Sequence, residues 1–284
     1  MSYLNNNAIQ CFVLTRFNLP LWNKDKKGAP VRTMKWLEHR FLLFEEYCLP
    51  SIANQTYKNF EWLILFDSKT PDIFKERVLS FQQKCPQLSP VYVKPNGGQY
   101  FAQIFRDEVV NKLRGERVIT IYLDNDDALD IHFVEDVKRR AANLPNGTFI
   151  TYDNGYQFFT DYNYLMRIRY PKNHFMSVIE AAGTRVKTIY GYGSHYYIDK
   201  IPNVRIEHVK NQPLWCEVVH EKNMGNDAYF LNAKMMKGES ILQTAYGIQE
   251  KVNSGLCLYL FRFIPRYIRT FIRRVGYFFF GRHW

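Results

Sequence analysis

Asp124, Asp126 and Asp127 place three carboxylates within four positions, directly after the apolar run Ile119-Thr120-Ile121-Tyr122-Leu123. Two unit charges 4 Å apart repel by about 1 kcal/mol in water and by about 4 kcal/mol near a protein surface. A cation therefore belongs among them. A hard divalent ion, Mn²⁺ or Mg²⁺, suits oxygen ligands and bridges carboxylates to phosphates. The other reading of the same residues is an acidic turn that leads into a helix capped by Asp130.

The elements that must position this cluster are legible upstream. Ile9 to Thr15 reads as an apolar strand running into Arg16-Phe17-Asn18. Trp36, Leu37, Phe41, Phe44 and Cys48 recur near helical spacing, with an end expected at Pro50. Phe60 to Phe66 is a second strand, stopped by Asp67, and Thr70 and Pro71 predict the N-cap and first residue of the next helix. Val91 to Val93 is a third strand, Gly97-Gly98 a turn, Gln99 to Leu113 a helix and Val118 to Leu123 a fourth strand. This order predicts a mainly parallel sheet with right-handed crossovers, and ligands bind such sheets beyond the carboxyl ends of the strands. Arg16, Asn18, Asp67 and the aspartates share that rim, which predicts a nucleotide-binding half. No GxGxxG follows the first strand and no GxxxxGK[ST] occurs, which argues against a dinucleotide site or a P-loop.

Composition bounds the class. The chain has 284 residues, 46% hydrophobic and 23% charged, enough for one large or two small globular domains. An aromatic content of 17% suits a protein that stacks on sugars or bases or lies on a membrane. Its five cysteines are widely spaced and free of CxxC pairs, which points away from disulfides or structural zinc and toward a reducing compartment. Met1 to Asn7 is polar and lacks the apolar core of a signal peptide, and no run reaches the roughly 18 apolar residues of a spanning helix. A cytoplasmic location follows as the expectation.

The net charge of +11 is unevenly placed: Lys251 to Trp284 holds one lysine, six arginines and no acid, so +7 lies in the tail. Arg262, Arg266, Arg269 and Arg273 recur on one helical face, beside Ile264, Tyr267, Ile268, Phe271, Ile272 and Val275. A basic stripe next to an apolar, aromatic one, with Tyr277 to Phe280 and Trp284 beyond, suits an anionic membrane surface.

Together, the strand ending in Thr15-Arg-Phe-Asn18, the strand ending in Asp67 and the block Leu123-Asp-Asn-Asp-Asp-Ala-Leu129 resemble the GT-A glycosyltransferases. The nearer resemblance is to a bacterial family described as rhamnosyltransferases. It is carried by Arg40-Phe-Leu-Leu-Phe-Glu-Glu-Tyr-Cys-Leu-Pro-Ser51, Gln55-Thr56 and Trp62-Leu-Ile-Leu-Phe-Asp-Ser-Lys-Thr-Pro71. Phe175-Met-Ser-Val-Ile-Glu180 and Pro213-Leu-Trp-Cys-Glu-Val-Val-His220 with Asn223 extend it, over roughly residues 8 to 230.

The resemblance implies a GT-A α/β fold in which a Rossmann-like nucleotide-sugar-binding half, residues 1–130, merges with an acceptor-binding half, 131–248, followed by the basic amphipathic tail, 249–284. It also implies transfer of a sugar from a dTDP- or UDP-linked donor to a surface-glycan or lipid-linked acceptor at the inner face of the cytoplasmic membrane. Asp126 is then the metal ligand, with His220 completing the shell and Asp124 contacting ribose or metal. Asp127 supports the loop or the acceptor. Asp67 accepts from the base, and Arg16, Asn18 and Arg106 face the donor. An inverting enzyme needs a carboxylate to deprotonate the acceptor hydroxyl; Glu180 is the first candidate, with Asp153 and Glu217 as alternatives. His195 and His208 are weaker site candidates. Tyr156, Phe158, Tyr162 and Tyr190 are candidates for a sugar-stacking wall.

Two rivals remain at this level. A nucleotidyltransferase also sets acids and a metal at strand ends, but carries a Gly-rich basic motif where this chain has Thr15-Arg16-Phe17-Asn18. A basic nucleic-acid-binding module predicts cations spread along a groove, whereas here they concentrate in the tail, so no nucleic-acid partner is expected.

Overall fold

The computed structural model describes residues 9–24, 28–220, 233–236 and 240–280. Asn223, Arg282 and Trp284 lie outside the described residues. The parallel half is built from β1 (Ile9–Arg16), β2 (Glu61–Asp67), β3 (Leu88–Val93) and β4 (Arg117–Tyr122), side by side in the order β3-β2-β1-β4. The central positions of β1, β2 and β4 are mostly apolar because both faces of these strands are covered. Along β1, Cys11 and Val13 enter one hydrophobic cluster, and Phe12 and Leu14 enter another on the opposite face. β2 divides in the same way, Trp62, Ile64 and Phe66 against Leu63 and Leu65. Helices α1 (Met34–Leu43) and α3 (Asp72–Lys84) cover the first face through Leu37, Phe41, Phe74, Val78 and Phe81. Helix α4 (Phe101–Lys112) covers the second through Phe105 and Val109.

Three local expectations are revised. Pro50 does not end the first helix: α1 passes through a wide π-type turn, Phe44–Cys48, into α2 (Leu49–Ala53). Pro50 sits in the first turn of α2, where its missing N–H costs nothing. Thr70 is not the N-cap of α3; Pro71 holds that place, and the Thr70 hydroxyl donates to the Asp67 carbonyl at 2.6 Å. β3 starts three residues before Val91. Gly97 and Gly98 do lie in a tight 3₁₀ turn, and a Cβ at Gly98 would fall 2.8 Å from the Pro20 ring.

Beyond β4 the sheet turns antiparallel, continuing through β8 (Met176–Ala181), β6 (Thr148–Phe159), β7 (Tyr164–Arg169) and β10 (Lys234–Met235). The long β9 (Arg205–Val219) runs parallel to β6 with register shifts between Tyr152 and Tyr156, and also pairs with the two-residue β5 (Ala128–Leu129). Those irregularities coincide with Gly155, where a Cβ would stand 2.1 Å from the Trp215 ring. Helix α5 (Phe133–Ala141) packs Phe133, Val134 and Val137 into the first cluster.

The chain ends in α6 (Ser240–Tyr246), the short α7 (Leu256–Leu258) and α8 (Ile264–Phe280). Leu258 is buried and Ile264 packs on the first cluster, so the root of the tail belongs to the domain. Further along α8, Ile268, Phe271, Ile272 and Val275 are exposed. Among the described residues, no helix is long and apolar enough to cross a membrane.

Candidate active site

The acidic turn is pinned on both sides. Leu123 extends the β4–β1 ladder by donating its N–H to the Leu14 carbonyl at 3.1 Å. Asn125 then spends its amide on the Arg16 and Phe17 carbonyls, at 2.8 and 3.0 Å. On the far side, Ala128 pairs with Cys216, and the Val218 N–H donates to Asp127 Oδ1 at 2.8 Å. The turn is therefore clamped between β1 and β9, and its three carboxylates meet different partners.

Asp126 meets cations supplied by the chain itself. Its Oδ2 accepts from Arg40 Nη1 at 2.5 Å and lies 2.9 Å from His220 Nε2. Arg40 is itself buried, with its guanidinium 5.4 Å from the Trp36 ring centre. Burial opposes charge on Asp126, but Arg40 and His220 outweigh it and hold the carboxyl well below the ordinary carboxylate range. Asp127, fully buried, has Oδ2 2.8 Å from His174 Nε2. Burial pushes the Asp127 carboxyl up. His174 is raised in turn by Asp127 and Asp124, against the effect of its own burial. Asp124 accepts from the Tyr122 hydroxyl at 3.0 Å and lies 3.7 Å from Arg16 Nη2.

One ligand atom each from Asp124, Asp127 and His174 lie within 4.8 Å of one another. Two carboxylates and an imidazole gathered this closely fit a divalent ion. The geometry thus groups Asp124 with Asp127 and His174. Asp126, assigned to the metal together with His220 from the family resemblance, is bonded to both His220 and Arg40.

The remaining predicted residues divide. Arg16 stands at the centre, with its guanidinium 4.8, 5.1 and 5.9 Å from the ring centres of Phe101, Tyr190 and Tyr122. It borders a cavity of about 410 Å³ also lined by Phe101, Tyr122, His174, Tyr190 and His195. Burial depresses His195 to about 3, so that its ring stays neutral. Asn18, two residues beyond β1, meets Asp67 at the end of the neighbouring β2. Asn18 bonds the Thr70 hydroxyl and the Asp67 N–H, and Asp67 Oδ1 accepts from the Lys69 N–H at 2.9 Å. Glu217 is buried on β9 and couples electrostatically to His174, Asp126 and Asp124, while one of its oxygens takes a 2.5 Å bond from Gln157.

Four expectations are corrected. Glu180 pairs with Val118 near the start of β4, which places it about 20 Å from the aspartates at the other end. Its two oxygens accept from the Lys187 and Thr188 N–H groups and the Tyr192 hydroxyl, so it organises the loop after β8. Glu180→Gln is accordingly expected to keep turnover within about twofold while lowering stability by about 1–2 kcal/mol; a loss of turnover in a folded variant would return it to the mechanism. Arg106, expected to face the donor, spends its guanidinium on the Thr184 and Val186 carbonyls. Asp153 is paired with His208 and Arg169, at 2.6 and 3.2 Å, which removes it as a base and accounts for His208. Tyr156 and Phe158 are core residues; of the four candidates for a sugar-stacking wall, Tyr190 lines the cavity.

Arg40 and His174 are the residues that sequence reasoning did not place in the site. Arg40 carried a readable signal. It falls on the apolar stripe of α1 between Leu37 and Phe44, where a charge needs a buried partner. His174 gave none, since its contact with Asp127 spans 47 positions.

A parallel β3-β2-β1-β4 half merged with an antiparallel β8-β6-β7 half, with an acidic turn at the end of β4, defines a GT-A-like α/β protein. The chain belongs to the glycosyltransferase family described as "Putative rhamnosyl transferase", whose profile matches residues 10–230. Against curated proteins, the sequence finds no match. Among solved structures it is similar to S. aureus TarS 1-349, at 12% identity and a TM-score of 0.43, over 74% of this chain and 60% of that one. The same TarS fragment in complex with UDP gives 12% and 0.44 over the same shares. The inositol-1-phosphate CTP transferase from T. maritima gives 11% and 0.35, over 74% of this chain and 89% of that one. The chain therefore spans 60% of the TarS chains it matches.

Proposed function

We propose that this protein is a metal-dependent glycosyltransferase that moves a sugar, rhamnose on the family's description, from a dTDP- or UDP-linked donor to a glycan or lipid-linked acceptor. The observation that carries the reading is the convergence of Asp124, Asp127 and His174 beside Arg16, on the rim where parallel sheets bind ligands. These three residues would hold Mn²⁺ or Mg²⁺, and the imidazole favours Mn²⁺. The ion would neutralise charge on the departing diphosphate. Arg16, kept flat by its three aromatic neighbours, adds a fixed positive charge on the same side. Asn125 holds the turn so that the carboxylates need not reorganise. Residues up to 130 form the donor half on this reading, and residues 131–248 the acceptor half.

We read the reaction as inverting, with one displacement and one carboxylate to accept the acceptor proton. With Glu180 remote, Glu217 takes that role: burial raises its carboxyl, and Gln157 orients it. Calorimetry with UDP and dTDP, with and without Mn²⁺, tests the reading. Metal-dependent binding of one nucleotide is expected, and binding of neither would reject a sugar-nucleotide donor.

The tail supports a peripheral position at the inner face of the cytoplasmic membrane. Ile268, Phe271, Ile272 and Val275 are exposed on a helix within a segment of charge +7 that holds no acid. Two such tails repel one another, whereas anionic lipid complements both stripes. Truncation at Gly255 would also remove Leu258 from the core, so Phe271→Ser with Ile272→Ser is the cleaner test. The intact chain is expected to float with phosphatidylglycerol-containing vesicles and the double variant about fivefold less; equal flotation would reject the assignment.

A further inference from the structure

We propose that the turn His195–Lys200 carries a glycan-stacking surface, the rings of Tyr196 and Tyr197, which holds a neutral sugar unit of the acceptor away from the hydroxyl that reacts. The inference rests on the glycosyltransferase reading and gives the acceptor a contact outside the cavity, on residues which that reading does not use. Tyr196 and Tyr197 are 49% and 60% exposed. Single exposed aromatics are ordinary on protein surfaces. These two are set apart by their mounting and by their position.

The turn is a rigid mount. It is a 3₁₀ helix whose Ser194 cap accepts from the Tyr196 N–H at 3.4 Å, while the Tyr197 N–H donates to the Ser194 carbonyl at 3.0 Å. Ile198 is buried in the second hydrophobic cluster, and Asp199 is tied to Lys172 at 2.6 Å. Each ring is also supported by a neighbour. His195 lies 4.0 Å from Tyr196 between ring centres, and Lys200 Nζ lies 4.8 Å from the Tyr197 ring centre. Rings held in this way lose little freedom when a ligand arrives, so more of the contact energy appears as affinity.

Position ties the surface to the site. His174, 2.8 Å from Asp127, lies 5.8 Å from His195 between ring centres, and His195 meets Tyr196, so a row of rings leads outward from the acidic turn. Gly193 and Ser194 line the cavity and are exposed, which places its rim on this segment. An acceptor that leaves the cavity past His195 therefore runs onto Tyr196. The chemistry selects a sugar. A pyranose presents a face of C–H groups to an aromatic ring and hydroxyls around its edge to polar neighbours. The Tyr196 hydroxyl accepts from the Tyr170 hydroxyl at 3.3 Å and can still donate to a sugar oxygen. Lys172 and Asp199 match one another, so this pair adds no net charge that would select an ion.

Tyr196→Ala removes the ring, and Tyr196→Phe keeps it without the hydroxyl. Both full-length variants and wild type would be applied, in Mn²⁺ with dTDP or UDP, to an array of neutral bacterial glycans running from monosaccharides to longer chains. Nucleotide affinity by calorimetry and Tm would be measured alongside. Wild type is expected to retain longer glycans in preference to monosaccharides. Tyr196→Ala should lose about tenfold in affinity for them. Its nucleotide affinity should stay unchanged and its Tm should stay within about 2 °C, since the side chain is half exposed. Tyr196→Phe should retain most of the glycan affinity. Wild type that retains no glycan, or a Tyr196→Ala variant that binds as wild type does, would overturn the proposal. So would a loss of nucleotide affinity in Tyr196→Ala, which would put a base on the ring, or an equal loss in Tyr196→Phe, which would deny stacking. A wild type that binds no nucleotide would reject the transferase reading itself, a different result from any of these.

Discussion

Asp127→Ala is expected to abolish Mn²⁺-dependent nucleotide binding and to reduce turnover by about a thousandfold or more. The size follows from the position of this carboxylate. It is fully buried, one oxygen is fixed by the Val218 N–H, and the other meets His174. Removing it takes one of three converging ligands and also frees the imidazole that it orients. Asp126→Ala is expected to behave differently. Its carboxylate is consumed by Arg40 and His220, so the substitution should act first on stability and only then on binding. Calorimetry with Mn²⁺ and nucleotide on the two folded variants separates these cases. Metal-dependent binding kept by Asp127→Ala and lost by Asp126→Ala would return the metal to Asp126 and His220.

Arg40→Met carries the second large effect, and it falls on folding. The guanidinium is 2.5 Å from Asp126, and both residues are buried. Breaking a buried pair by removing one partner costs about 3–5 kcal/mol, because the remaining charge is buried from water and here keeps only the His220 contact. For a chain of this size that corresponds to a fall in Tm of about 10 °C. Adding Asp126→Asn should restore much of the loss, since the charge that needed Arg40 is gone, and the pair should couple strongly in a double-mutant cycle. His220 would keep part of the stabilisation through its own contact with residue 126. Additive losses, or an Arg40→Met protein as stable as wild type, would show that the pair contributes nothing to the fold.

Both predictions concern contacts that local sequence could not display. Arg40 lies 86 positions from Asp126, His174 47 from Asp127 and His220 94 from Asp126. Glu180 shows the same limit in the opposite sense. A glutamate closing an apolar strand reads alike whichever way the strand runs, and the antiparallel pairing of β8 with β4 carried it to the wrong end. Asp153 misled for a related reason, since its partners Arg169 and His208 come from two other strands.

The parallel half was legible because each of its signals is local. A strand buried on both faces is mostly apolar, and β1, β2 and β4 carry such runs, Cys11 to Leu14, Trp62 to Phe66 and Val118 to Ile121 with only the buried Thr120 between. The like charge at Asp124, Asp126 and Asp127 was legible too, since repulsion between neighbours in the chain needs no tertiary structure to be recognised. The sequence by itself thus determined the succession of strands and helices in the parallel half and the place of the acidic turn. Only the tertiary structure decided that Asp126 meets Arg40 and His220 while Asp124 and Asp127 converge with His174. Neighbouring aspartates on one turn point to different sides, and the charge each one finds there is brought by strands and helices distant in sequence.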